Sequence, residues 1–107
     1  MSISGNEKKA LKALQTELST AFRVRDLRLF GSKVRGKDTP GSDLDVLIVL
    51  EDSSAAVEER IDGLIFDLNL KFDCFITPLY FSSAEIESGP LSESPVYKKA
   101  LAEGISF

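Results

Sequence analysis

Asp43 and Asp45 stand two residues apart at the head of an almost purely aliphatic run, LDVLIVL, residues 44–50. Side chains two apart on a strand point the same way, with Cα atoms ~6.6 Å apart at ~3.3 Å per residue. Carboxylates at the start of a buried strand are costly unless a charged group lies between them. Such a pair can close on one divalent cation or bracket two, since phosphoryl-transfer sites hold two ions ~3.5–4 Å apart. Magnesium suits this setting because it prefers oxygen donors and keeps substrate phosphates in its shell. A plainer reading has Asp43 capping a turn and Asp45 pairing with an arginine, and a bare Asp-x-Asp does not decide between them.

Gly31-Ser32 adds a second element. A glycine after a strand lets the backbone approach a ligand closely, and the following N–H groups and the Ser32 hydroxyl can hold an anion. Alone, Gly-Ser after a strand is an ordinary turn. Asp73, in LKFDCFITPL, is an acid inside an apolar run that reads as a buried strand, so it too calls for a cation. Asp62 and Asp67 are alternatives for a third acid, but they fall on a helical pattern where they face solvent. Cys74 reads as a small core residue, Tyr80 and Tyr97 as structural tyrosines, and Phe30 as core. Six of the thirteen basic residues (Arg23, Arg25, Arg28, Lys33, Arg35 and Lys37) crowd into one segment ahead of the aspartates. They fit either a solvated rim or the flank of a phosphate site.

The elements that must position these residues follow from periodicity. Residues 6–22 read as an amphipathic helix, with Leu11, Leu14, Leu18 and Phe22 on one face. A first strand spans 24–30, a helical turn 32–36, and a Pro- and Gly-punctuated loop 37–41. The strand 43–50 is aliphatic on both faces, which implies cover on both sides. A second helix spans 54–68 on the stripe Val57, Ile61, Leu64, Ile65 and Leu68. The next strand is expected at 72–78 and contains Asp73. Short helices follow near 83–87 and 94–102, with Gly104 as a C-cap. This order predicts an α/β or α+β fold with a small mixed sheet flanked by helices and a site where loops meet strand ends.

The 107 residues make one domain, 1–107, with a single modest core. There is no histidine, which excludes His-based triads and imidazole bases, and the one cysteine excludes an internal disulfide. A net charge of −4 argues against binding duplex nucleic acid through the fold as a whole. No apolar run reaches the roughly 20 residues of a membrane span, and MSISGNEKKA lacks the apolar centre of a signal peptide, so a cytoplasmic location is expected.

Taken together, Gly31-Ser32, Arg35-Gly36 and Ser42-Asp43-x-Asp45 leading into an aliphatic strand resemble the signature of the polymerase-β-like nucleotidyltransferase superfamily. The pattern Gly-Ser-x-Ala-Arg-Gly, five residues, then Ser-Asp-x-Asp is met in spacing, with Val34 in place of the usual alanine. More narrowly, the chain looks like the minimal nucleotidyltransferases of the MntA-like antitoxin group, and its ending PVYKKALAEGISF extends the likeness over nearly the whole length. The resemblance implies the nucleotidyltransferase fold and transfer of AMP from ATP to a hydroxyl. It implies two magnesium ions on Asp43, Asp45 and Asp73, and a nucleotide held by Gly31, Ser32, Arg35 and Ser42. It further implies a HEPN-domain toxin as partner, with a tyrosine of that partner as acceptor, in a homo- or hetero-oligomer. The competing reading is a non-catalytic antitoxin that neutralises its partner by binding alone.

Overall fold

The computed structural model describes residues 3–36 and 42–107, without the side chains of Arg35 and Pro90. The expected loop 37–41 and Lys37 therefore lie outside the described residues. Helix α1, Gly5–Ala21, starts on a capping box in which Ser4 and Glu7 satisfy each other's backbone N–H groups. Its stripe of Ala10, Leu11, Leu14 and Leu18 is buried. Strand β1, Val24–Phe30, leads through Gly31 into the single turn α2, Ser32–Arg35. Strand β2, Leu44–Leu50, is followed by α3, Ala55–Phe72, then β3, Ile76–Ser82, and α4, Ser83–Ser88. A 3-10 turn at Pro90–Glu93, α5 at Pro95–Glu103 and β4 at Ile105–Ser106 complete the order.

The sheet order is β3-β2-β1-β4. β1 is antiparallel to β2 and to β4, and β2 is parallel to β3, which makes the sheet mixed as expected. β3 lies at the edge, the place where a strand tolerates Pro78 and its missing N–H.

β2 is buried on both faces because its alternate residues serve two cores. Leu44, Val46, Ile48 and Leu50 pack with the stripes of α1 and α3. Leu47 and Val49 pack on the other face with Phe81, Tyr97 and Ala100, where the Phe81 and Tyr97 rings meet at 5.2 Å. Any side chain on the odd-numbered face of β2 therefore shares the α5 side of the sheet, and any on the even-numbered face shares the α1–α3 side.

The end of α3 and the span of β3 differ from the sequence expectation. α3 does not stop at 68 but runs to Phe72, which packs against the first core, and β3 starts only at Ile76. The helix ends on Asp73, which adopts the left-handed conformation at φ 51° and whose N–H bonds the Asn69 carbonyl. Asn69 then fixes the approach to β3. Its amide accepts from the Ile76 N–H at 2.8 Å and donates to the Ile76 carbonyl at 3.3 Å, and the Cys74 thiol donates to it at 3.5 Å.

Candidate active site

The end of β1 sets the geometry of the site. Gly31 has φ 85° and ψ −157°, a conformation open essentially to glycine alone. It turns the chain into α2, which closes on Gly36, itself left-handed at φ 71° with its N–H bonded to the Ser32 carbonyl. Phe30 pairs in register with Asp45 of β2, so Gly31 lies directly against that carboxylate. A Cβ at Gly31 would stand 2.2 Å from Asp45 Oδ2. Gly31 leaves out a side chain where the Asp45 carboxylate needs the room.

Asp43 lies just ahead of β2 and, two residues from Asp45, takes the same odd-numbered face. Asp45 is half-buried and Asp43 exposed. On the other side of the pair, β3 runs parallel with Asp45 opposite Thr77 and Leu44 opposite Ile76. The Leu44 N–H bonds the Phe75 carbonyl at 2.7 Å, which places Phe75 beside Asp43. Thr77 Oγ1 donates to Asp43 Oδ2 at 3.0 Å and orients that carboxylate. Gly31, Asp45, Asp43 and Thr77 thus form one row across three strands, with Ser32 and Ser42 both half-buried at its edge.

Asp73 does not join this row. It caps α3, whose buried stripe packs on the opposite face of the sheet, and it is exposed in a groove lined by Phe66, Asn69, Leu70, Cys74 and Phe75. Among the described residues no three carboxylate, thiol or imidazole groups converge as a metal site. The acid-in-a-strand reading failed because Asp73 is in no strand. Phe75, expected in a buried strand, is 62% exposed. Asp62 is taken up by the Tyr80 hydroxyl at 2.6 Å, and Asp67 is exposed.

The arginines of the basic cluster on and before β1 are engaged in ion pairs. Arg23 pairs with Asp52, Arg25 with Glu87 and Arg28 with Asp26. Lys33 is 6% exposed and lies 3.4 Å from Glu7, so it ties α2 to α1. Arg35 closes α2 beside the site, and its side chain is outside the described residues.

Thr77 and Phe75 are the site residues that sequence reasoning missed. The signal for them was the start of β3, because a parallel partner of β2 starting at 76 sets these two positions beside the aspartates.

A four-stranded mixed sheet flanked by helices sets paired carboxylates against a side-chain-free turn. Residues 8–97 match the family model of the nucleotidyltransferase domain, and the chain belongs to that family. No curated protein matches the chain. Among solved structures, one assigned as a minimal nucleotidyltransferase is 20% identical with a TM-score of 0.64, covering 94% of this chain and 91% of that one. A toxin–antitoxin crystal structure with AMP-PNP is 15% identical with a TM-score of 0.62, covering 92% of this chain and 70% of that one. A mutant of the MntA-HpeT toxin–antitoxin is 16% identical with a TM-score of 0.59, covering 94% and 70%. These likenesses establish the nucleotidyltransferase fold. Among the described residues no helix is long and apolar enough to cross a membrane.

Proposed function

We propose that this chain binds ATP with a divalent cation and transfers its AMP moiety to a hydroxyl of a partner protein. The observation that carries the reading is the row of Gly31, Asp45 and Asp43, where a missing side chain and two carboxylates face one space. Two oxygen-donor side chains beside an open backbone suit magnesium, which takes carboxylates together with substrate phosphates. When bound, such an ion neutralises the triphosphate and the departing pyrophosphate.

The chain's own residues supply binding and orientation. Gly31 lets the β- and γ-phosphates approach the backbone, and Ser32 and Ser42 offer hydroxyl donors. Arg35, at the end of the same turn, is the cation assigned to the triphosphate. Asp43 and Asp45 hold the ion, with Asp43 fixed by Thr77. The acceptor oxygen attacks the α-phosphorus in line, the bond to the bridging oxygen breaks, and pyrophosphate leaves.

A partner protein is favoured over a small acceptor by the exposed apolar surface beside the site. Phe66, Leu70 and Phe75 are 63%, 70% and 62% exposed and border one groove. Contiguous exposed apolar surface of this kind marks interaction sites. Two of the similar solved structures are toxin–antitoxin complexes, one of them with AMP-PNP, and this supports a toxin as the partner and ATP as the donor. A HEPN-domain toxin, carrying an acceptor tyrosine, is the partner the reading assigns, in the cytoplasm.

A second reading has a specific observation in its favour. β3, ITPLYFS, contains no acid, so the strand next to the aspartate pair adds none. In this reading the chain binds nucleotide and its partner without transfer. Incubation with α-labelled ATP, magnesium and the product of the neighbouring gene, followed by intact mass, separates the two. A mass increment of one AMP on the partner supports transfer, and an unmodified partner in a stable complex supports binding alone.

A further inference from the structure

α3 carries a second stripe besides the one it buries. Ala56, Glu59, Gly63, Phe66 and Leu70 are all exposed and follow one another at alternating spacings of three and four, which sets them in one row along the helix. Phe66 and Leu70 are its large apolar members. Gly63 stands among them although a glycine inside a helix weakens it relative to alanine. The chain's own packing does not call for that glycine, since a Cβ there would meet no atom within 4 Å. A missing side chain in such a row lets a neighbouring helix approach closely. The row is also acidic. Glu59 lies in it, and the exposed Asp62 and Asp67 flank it, against one arginine, Arg60, which sits over the Phe22 ring at 4.8 Å. At its Leu70 end the row opens on the groove that contains Phe75, and Phe75 lies beside Asp43.

We infer that the outer face of α3 is a docking seam for one helix of the partner protein, apolar at spacings of three and four and bearing lysines or arginines alongside. Such a repeat packs two helices side by side at a shallow angle. The seam runs ~21 Å from Ala56 to Leu70, at ~1.5 Å per residue. The bound helix crosses closest at Gly63, covers Phe66 and Leu70, and ends toward Phe75 and the aspartates. Opposite charge selects this occupant, because the α3 of a second copy would bring one net-negative face against another. The inference rests on the reading that a partner protein docks beside the site. It adds the secondary structure and charge of the docking element, and the side from which that element comes.

The test measures association with the product of the neighbouring gene by calorimetry, at low and high salt. Wild-type association should weaken as salt is added. Gly63→Gln replaces an exposed glycine with a better helix former, so its thermal midpoint should rise by about 2–5 °C. The same variant should associate about tenfold more weakly or worse, because a side chain at the crossing point holds the helices apart. Glu59→Lys should weaken association and flatten its salt dependence. Both variants should keep the wild-type affinity for a non-hydrolysable ATP analogue. A Gly63→Gln protein that is more stable and associates as tightly as the wild type overturns the inference. A wild-type dimer, seen by sedimentation of the chain alone and dissolved by Gly63→Gln, assigns the seam to a second copy and overturns it too. A wild type that does not bind the product at all overturns the partner reading together with the seam, whereas the first two results leave that reading in place.

Discussion

Gly31 and Asp45 are locked in one steric relationship: a Cβ on the glycine would stand 2.2 Å from the aspartate's Oδ2. The nearest atoms all belong to the Asp45 side chain, so a substitution at Gly31 acts by pushing that carboxylate away. The backbone adds a second penalty, because φ 85° with ψ −157° costs a non-glycine residue about 1–3 kcal/mol. Gly31→Ala is expected to lower stability by about that amount in urea denaturation and to weaken binding of a non-hydrolysable ATP analogue at least tenfold by calorimetry. Unchanged affinity would make Gly31 a turn residue only.

Asp73 and Asn69 give opposite expectations although they sit in one turn. Asn tolerates the left-handed conformation as well as Asp does. Asp73→Asn is therefore expected to shift stability by less than about 0.5 kcal/mol and to leave analogue binding untouched. Asn69→Leu strips the partners from the buried Ile76 N–H and carbonyl. Unsatisfied buried groups cost about 1–3 kcal/mol each, so a loss of about 2–4 kcal/mol is expected in thermal or urea unfolding.

The strand that the two aspartates head was legible in the sequence as an almost purely aliphatic run. Its two-faced burial was legible too, since LDVLIVL has no polar alternation after Asp45. The end of α3 was not. The stripe Ile61, Ile65, Leu68 and Phe72 keeps helical spacing to its last member, but LKFDCFI also reads as a strand core, and short apolar runs do not tell helix from strand. The deciding feature was the left-handed turn at Asp73, held by Asn69 through contacts with Ile76 seven residues on. Misplacing β3 by four residues put an acid where Thr77 and Phe75 stand. The buried Lys33–Glu7 pair was equally hidden, because it joins residues 26 apart that only the packing of α2 on α1 brings together.

Tyr80 links β3 to α3 through its hydroxyl, which donates to Asp62 at 2.6 Å. Burial first, and then the Asp62 hydrogen bond and charge, push its phenol well above the ordinary tyrosine value. A group whose folded pKa is raised stabilises below its unfolded value of about 10, and that stability is lost as pH rises toward the folded value. The protein is therefore expected to lose stability above about pH 10, and Tyr80→Phe to reduce that alkaline loss. At pH 8 the same variant should cost about 0.5–1 kcal/mol, a modest figure because the side chain is only half-buried. Urea midpoints at both pH values check this.

The apolar face of α3 separates docking from chemistry. Phe66→Ser and Leu70→Ser remove exposed side chains that border the groove by Phe75. The double variant is expected to keep its stability within about 0.5 kcal/mol and its affinity for the ATP analogue. Association with the partner toxin, followed by size-exclusion chromatography, should weaken at least tenfold. Equal association would move the docking surface elsewhere.

The central claim is that Asp43 and Asp45 hold a nucleotide through a divalent cation, and one titration tests it most directly. A non-hydrolysable ATP analogue is titrated into wild type and Asp45→Asn, each with magnesium and with a chelator. Binding should require magnesium in the wild type and fall at least tenfold, about 1.4 kcal/mol or more, in a folded Asp45→Asn. Wild-type binding that is indifferent to the chelator, or an Asp45→Asn variant that binds as tightly as the wild type, would contradict the account.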